Sequence, residues 1–389
     1  MSKSKRALII IIAVLFAAAV IAVFWFFSEE QQNDDSIEPT AQATEETQAQ
    51  TEAPTQSREN QLLESMSLQE KVAQMIMVSC HEGVDIESAV NSDVGGICLY
   101  THSFADKTED GVISMIEGYQ NISEIPLLVS TDEEGGTVNR VSLNENLRAV
   151  PFWSPSELFN EGGYELIKSD TEEKADLLLS LGINVNLAPV CDVPLDEDNY
   201  IYDRCFSLSH DETAQYVSTV VNVMKEKGIG STLKHFPGYG GSVDTHESMS
   251  YDNRDYSAFE NGDFKPFIAG INAGADCVLV SHNIVTFMDP DMPASLSRPI
   301  HEILRNELSF SGVIMTDDLV MQGVAQFTDG ENAAVLAVKA GNDMIICEDY
   351  NSAINAIVAA VNNGEIDEAQ IDQSVLRVLR WKENIGLLN

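Results

Sequence analysis

The amino-acid sequence predicts a (β/α)8 barrel, and three observations carry that expectation. From about residue 60 onward, eight short apolar runs alternate with longer segments of helical periodicity. Polar and charged residues directly abut the C-terminal ends of several of these runs, where barrel enzymes place their chemistry. No G-x-G-x-x-G follows the first run, which disfavours the other fold that such alternation builds, an open doubly wound sheet binding a dinucleotide.

The barrel has a preface. Ala7 to Phe27 is an unbroken apolar run of 21 residues, about 31 Å as a helix and therefore long enough to cross a bilayer. Lys3, Lys5 and Arg6 precede it, acidic residues follow, and Phe24 to Phe27 form an aromatic collar. The positive-inside rule then keeps the N-terminus cytoplasmic and sends the rest outside. A cleaved secretory signal is the alternative, against which stand the length of the run and the lack of a small-x-small site after the aromatics. Residues 29–60 are rich in Glu, Gln, Thr, Ala and Ser and nearly devoid of large apolar side chains, so they are expected to form a disordered acidic tether. The expected organisation is a stub and transmembrane anchor over 1–28, the linker over 29–60, and the barrel over 61–389.

Within the barrel, Ser67-Leu-Gln-Glu70 is a capping box that opens a helix leading into the first strand, Gln74–Ser79. The next strands are Gly96–Tyr100, Pro126–Thr131, Asn184–Leu187, Gly230–Leu233, Cys277–Ser281, Val313–Thr316 and Asp343–Cys347. Asp211–Lys227 and Ala353–Val361 show good helical patterns between them. The residues at the strand ends are Asp132 after the third, Lys234 and His235 after the fifth, His282 after the sixth, Asp317 and Asp318 after the seventh, and Glu348 after the eighth.

Charge and cysteine usage narrow the function. With 22 Lys and Arg against 62 Asp and Glu, the net charge is −40, which excludes nucleic-acid binding by phosphate neutralisation. Six cysteines are scattered singly with no CxxC pair, so no metal centre is expected from them and most read as small core residues. Cys191 and Cys205 stand close enough to the candidate site that their pairing stays open. No cofactor is expected.

Three stretches carry chemistry. In Gly312-Val-Ile-Met-Thr-Asp-Asp-Leu319 an apolar strand stops at two carboxylates, the first of which is placed as a nucleophile or base, while Asp318 suits a helix cap. In Lys234-His-Phe-Pro-Gly-Tyr-Gly-Gly-Ser-Val-Asp-Thr-His246 a strand ends in two donors, and a glycine-rich loop then bears Asp244 two residues before His246. An Asp so placed orients an imidazole as a proton shuttle near neutral pH. In Thr131-Asp-Glu-Glu-Gly-Gly-Thr-Val-Asn-Arg140 a strand-end carboxylate, two glycines and an Arg suit a polyhydroxylated ligand, the glycines letting the backbone approach it.

With these motifs on the page the sequence resembles the glycoside hydrolase family 3 β-N-acetylhexosaminidases of the single-barrel, peptidoglycan-recycling type, over nearly all of residues 62–389. Seven motifs match in order: Asp132 with Glu134-Gly-Gly136 and Arg140, Ala188-Pro-Val-Cys-Asp192, Arg204-Cys-Phe206, Lys234–Gly238, Asp244-Thr-His246, Pro293–Ser297 and Gly312–Leu319. Departures are Tyr239 where the family usually has His, Glu247-Ser-Met-Ser250 in place of Leu-Pro, and Thr137 in place of a common Arg.

The resemblance implies hydrolysis of a terminal β-linked N-acetylglucosamine with retention of configuration. It makes Asp317 the nucleophile and His246, held by Asp244, the general acid/base. It makes Asp132, Arg140, Arg204, Lys234 and His235 the binders of the terminal sugar. The partners it implies are an amino-sugar glycan and, through the N-terminal run, a membrane. The localisation expected is a single-pass cell-membrane protein with its catalytic domain outside. Rival readings are phosphorolysis on the same site, a metal-dependent barrel hydrolase, and an inactive barrel that binds wall glycans; the sequence leaves oligomeric state open.

Overall fold

A computed structural model describes residues 57–240, 250–320, 324, 327–328 and 331–388. The apolar run Ala7–Phe27 and nearly all of the acidic segment lie outside the described residues. Among the described residues, no helix is long and apolar enough to cross a membrane. The first helix, Arg58–Ser65, takes in the last residues of the segment read as linker, and it is held there by burial of Leu63 and Glu59.

Eight parallel strands make one sheet: β1 Ile76–Cys80, β2 Gly96–Leu99, β3 Leu128–Thr131, β4 Val185–Asn186, β5 Gly230–Phe236, β6 Cys277–Val280, β7 Val313–Thr316 and β8 Ile345–Cys347. Their order is β8-β1-β2-β3-β4-β5-β6-β7, and each neighbouring pair runs parallel. The two ends of that sheet meet. Met315 bridges Met344, the Met344 N–H donates to the Ile314 carbonyl at 3.1 Å, and the Thr316 N–H donates to the Met344 carbonyl at 3.2 Å. The result is the barrel that the alternation predicts.

Both faces of these strands are buried, which explains why they read as continuous apolar runs. Met77, Cys98, Leu128, Val185, Cys277, Leu279, Val313 and Met315 fill the barrel interior. Their immediate neighbours Val78, Ile97, Val129, Val278, Val280 and Ile314 belong to a second cluster shared with the surrounding helices. Trp381, on the last helix, joins the interior cluster, and its indole lies where a side chain at Gly230 would stand, at the start of β5. It closes the N-terminal end of the barrel.

The helices begin where local chemistry starts them. α1 Leu68–Gln74 has the predicted capping box, with reciprocal bonds between Ser67 and Glu70. α2 Pro155–Ser180 has a second one from Ser154 and Glu157, plus proline in its first turn. α3 His210–Lys227 ends at Gly228 in the left-handed conformation, as α4 Phe264–Ala273 does at Gly274. α5 Glu368–Asn384 is the last helix and carries Trp381. All six cysteines are buried and free, so Cys191 and Cys205 are not paired.

Candidate active site

A cavity of about 490 Å3 opens at the C-terminal ends of the strands, within the usual size of small-ligand sites. Asp132, Arg140, Arg204, Lys234, His235 and Asp317 all line it. Asp244 and His246 lie outside the described residues. The chain on both sides of their loop is anchored. The Gly240 carbonyl accepts from Asn199 Nδ2 at 2.8 Å, and the Ser250 carbonyl accepts from the Ile284 N–H at 2.8 Å.

The charged half of the cavity is organised around a carboxylate that chain order alone makes hard to rank, Glu134. Its side chain is 2% exposed. Arg204 donates to both of its oxygens, Nη2 to Oε1 at 2.8 Å and Nε to Oε2 at 3.0 Å, and Lys234 Nζ lies 2.6 Å from Oε1. Burial alone drives this carboxyl up, but the Arg204 and Lys234 charges outweigh it and hold Glu134 well below the usual carboxylate range. Lys234 Nζ also donates to Asp132 Oδ1 at 2.5 Å. Burial lowers its pKa, yet the Asp132 and Glu134 charges raise it above that of a free lysine. The ammonium therefore stays charged in a buried position.

Lys234 and His235 are consecutive residues of one strand, yet both reach the cavity. The ladder between β5 and β6 slips between Leu233 and Phe236, and these two residues stand in the gap. Such irregularities in a strand re-aim side chains next to binding sites. Asp192 then fixes the imidazole, accepting from His235 Nδ1 at 2.7 Å and from the His235 backbone N–H at 3.1 Å. Its other oxygen takes the Tyr239 N–H at 2.7 Å. The remaining nitrogen, Nε2, lies 3.2 Å from Arg204 Nη2 and is thereby the acceptor, with the proton on Nδ1. Tyr239, which stands where the resemblance expects His, is buried and packs edge-on against His235 and Tyr200.

Arg140 is set by the neighbouring carboxylate. Glu133 is fully buried and accepts the backbone N–H groups of Arg140 and Val141 at 2.8 Å each, along with that of Ser142 and its hydroxyl. The two glycines between them lie tight against a neighbouring segment. Gly135 has φ +102°, and a Cβ there would fall 2.2 Å from the Trp153 carbonyl oxygen; at Gly136, φ +64°, it would fall 2.7 Å from Ser154 Cβ. They let this loop press against the segment that starts α2.

Asp317 follows β7, its N–H bonded to the Val280 carbonyl at 2.9 Å. Its Oδ1 accepts the Asp318 N–H at 2.9 Å. Asp318 lines the cavity too, and it is no simple helix cap: Ser79, His81 and Tyr100 from β1, β2 and the residues just beyond them all bond its Oδ2. Two strand-end residues do not join the cavity lining. His282 is fully buried and clamps backbone, with Nε2 3.0 Å from the Asp318 carbonyl and Nδ1 2.7 Å from Ser295 Oγ. Glu348 is exposed and belongs to a separate surface depression with Asp349 and Tyr350.

Comparison with known proteins agrees with this geometry. Residues 67–381 match the family described as Glycosyl hydrolase family 3 N terminal domain. A protein named Beta-hexosaminidase from Idiomarina loihiensis is 33% identical over 290 residues, 71% of this chain and 83% of that protein. Among solved structures, a glycoside hydrolase family 3 beta-N-acetylglucosaminidase from Paenibacillus sp. str. FPU-7 superposes with a TM-score of 0.78 at 30% identity, over 83% of this chain and 63% of that one. The chain thus spans less than two thirds of that protein's length. A Beta-N-acetylhexosaminidase from Beutenbergia cavernae superposes with a TM-score of 0.74 at 26% identity, over 82% of this chain and 99% of that one. The extent of the family match, together with a strand-end cavity that gathers the family's motif residues, places this chain in glycosyl hydrolase family 3 and makes it a glycoside hydrolase.

Proposed function

We propose that the protein is an exo-acting β-N-acetylhexosaminidase that releases terminal β-linked N-acetylglucosamine from peptidoglycan fragments or related glycans with retention of configuration. The observation that carries this reading is the meeting of Asp317 with the Asp132, Glu134, Arg204, Lys234 and His235 network around one cavity. The names of the hexosaminidase relatives supply the sugar class.

In this mechanism the network grips the terminal sugar. Lys234, Arg140 and Arg204 donate to its hydroxyls and Asp132 accepts from them, all fixed before the substrate arrives, so little reorganisation is needed on binding. Asp317 attacks the anomeric carbon. The Asp318 N–H donates to its Oδ1 and so helps to orient the carboxylate. His246, oriented by Asp244, protonates the leaving oxygen and then deprotonates the water that cleaves the glycosyl-Asp317 intermediate. A histidine in place of the second carboxylate suits a nucleophile that must stay ionised, because it adds no like charge beside Asp317. The apolar run Ala7–Phe27 anchors the protein in the cell membrane with its barrel outside, and the acidic segment up to the helix Arg58–Ser65 tethers it.

The test compares release of nitrophenol from the β-N-acetylglucosaminide and the β-glucoside by the full chain, in water and in phosphate buffer. The expected result is turnover of the first substrate alone, with free sugar as product in both buffers. Equal turnover of the glucoside overturns the sugar class, and accumulation of sugar-1-phosphate overturns hydrolysis in favour of phosphorolysis.

A further inference from the structure

The cavity wall formed by β1, β2 and the residues after them holds a second polar cluster, centred on Asp318. Its Oδ2 accepts from the Ser79 hydroxyl, from His81 Nε2 at 3.0 Å and from Tyr100 OH at 3.4 Å, while Oδ1 accepts the Val320 N–H at 3.0 Å. Its carbonyl lies 3.0 Å from His282 Nε2. Its N–H donates to Asp317 Oδ1. Every polar atom of this residue is therefore engaged. A side chain fixed at so many points fixes its own backbone, and hence the direction of an N–H that touches the proposed nucleophile.

We propose that His81 is a positioning residue for the glycosidase reaction, acting through Asp318 to hold the Asp317 carboxylate in its attacking orientation. The proposal rests on Asp317 being the nucleophile. Ser79 is fully buried, and burial pushes the Tyr100 hydroxyl's pKa well up, so both are neutral donors fixed in the wall. His81 differs from them. Its side chain is 40% exposed, lines the cavity, and stacks on Tyr100 with ring centroids 4.6 Å apart and 17° between planes. The stack holds the imidazole flat against the wall, with Nε2 directed at Asp318. Attack requires one carboxylate oxygen aligned with the anomeric carbon, and a loosened Asp318 lets the Asp317 carboxylate turn about its terminal torsion. Sugar binding falls to the Glu134 network, on other strands. The loss should therefore appear in kcat and leave KM nearly unchanged.

Two variants separate the imidazole's bond from its stacking. His81→Phe keeps the ring on Tyr100 and removes the donor, whereas His81→Gln restores an N–H donor at similar reach without the ring. On the aryl β-N-acetylglucosaminide, with wild-type and variant full chains of matched melting temperature, His81→Phe should lower kcat about tenfold or more at a KM within about twofold, and His81→Gln should stay within about threefold of wild type. Wild-type kcat in His81→Phe, equal loss in both variants, or a rise in KM at constant kcat overturns the positioning role. Asp317→Asn is assayed beside them to keep the premise separate. Its inactivity upholds the nucleophile, so that a null result at His81 condemns only the positioning role, and its turnover overturns the nucleophile assignment and this proposal with it.

Discussion

Among individual side chains, the most consequential is one that sequence order does not single out. Glu134 is one of three consecutive acidic residues, and nothing in that run says which carboxylate binds two cations and which binds backbone. The structure divides the work: Asp132 meets Lys234, Glu133 pins the chain at Arg140 to Ser142, and Glu134 joins Arg204 to Lys234. Removing one partner from a buried ion cluster leaves the others uncompensated. Glu134→Gln should therefore cost about 3 kcal/mol in denaturant unfolding at pH 7 and lower activity strongly. The native carboxyl is held below its unfolded value, so the stability it contributes is present above the unfolded pKa of 4.5 and is lost only as pH falls through the still lower folded value. An unfolding free energy unchanged by Glu134→Gln contradicts the cluster's role. Asp132, Lys234, His235 and Asp317 were legible at strand ends and Arg140 in the stretch just after one, whereas Arg204, in the short turn Tyr202–Arg204 well past β4, was reached only through the family resemblance. Ser79 and His81 were not legible, because serine and histidine at the end of an apolar run carry no marker of the partner, 239 and 237 residues away, that they find in Asp318.

Among elements, strand boundaries were read to within about two residues apart from the end of β5, since a run buried on both faces shows plainly against amphipathic helices. The errors fall where another force sets the boundary. β5 runs on to Phe236, past the predicted Leu233, because Lys234 and His235 are polar residues inside the strand and read as its end. The Gly135-Gly136 pair, expected to let backbone approach a ligand, presses closely on Trp153 and Ser154. That contact makes a prediction. Gly135→Ala puts a methyl against a backbone carbonyl at a positive φ, so thermal or denaturant unfolding should show a loss of about 2 kcal/mol or more, with reduced turnover because Glu134 is the next residue. A variant as stable and active as wild type would show that the loop does not depend on this approach.

For the barrel as a body, closure was legible in the count of strands, but what seals its far end was not. Trp381 and the adjacent Lys382 on α5 are fully or almost fully buried, and Lys382 Nζ donates to Gln74 Oε1 at 2.7 Å. Burial lowers the Lys382 pKa from 10.5 to about 7. Between those values the unfolded chain carries a proton at Lys382 that the folded chain has released, so this residue makes stability rise with pH across that window. Lys382→Met should remove that rise, and its stability relative to wild type should be greatest near pH 6 and shrink toward pH 10. Parallel stability profiles for the two proteins across that range contradict a depressed Lys382 in the folded state. The chain's net charge of −40 says nothing of this residue, since a lone lysine in an amphipathic helix reads as solvated.

The assignment of chemistry comes down to which atom the sugar is joined to midway through turnover. Incubation with a fluorinated N-acetylglucosaminide that slows breakdown of the glycosyl-enzyme, followed by peptide mapping, reads this directly. The glycosyl mass is expected on Asp317 within the peptide spanning 312–319. A label on Asp318, Glu134 or any other side chain, or an enzyme that turns over yet never carries the label, would contradict a covalent mechanism at Asp317.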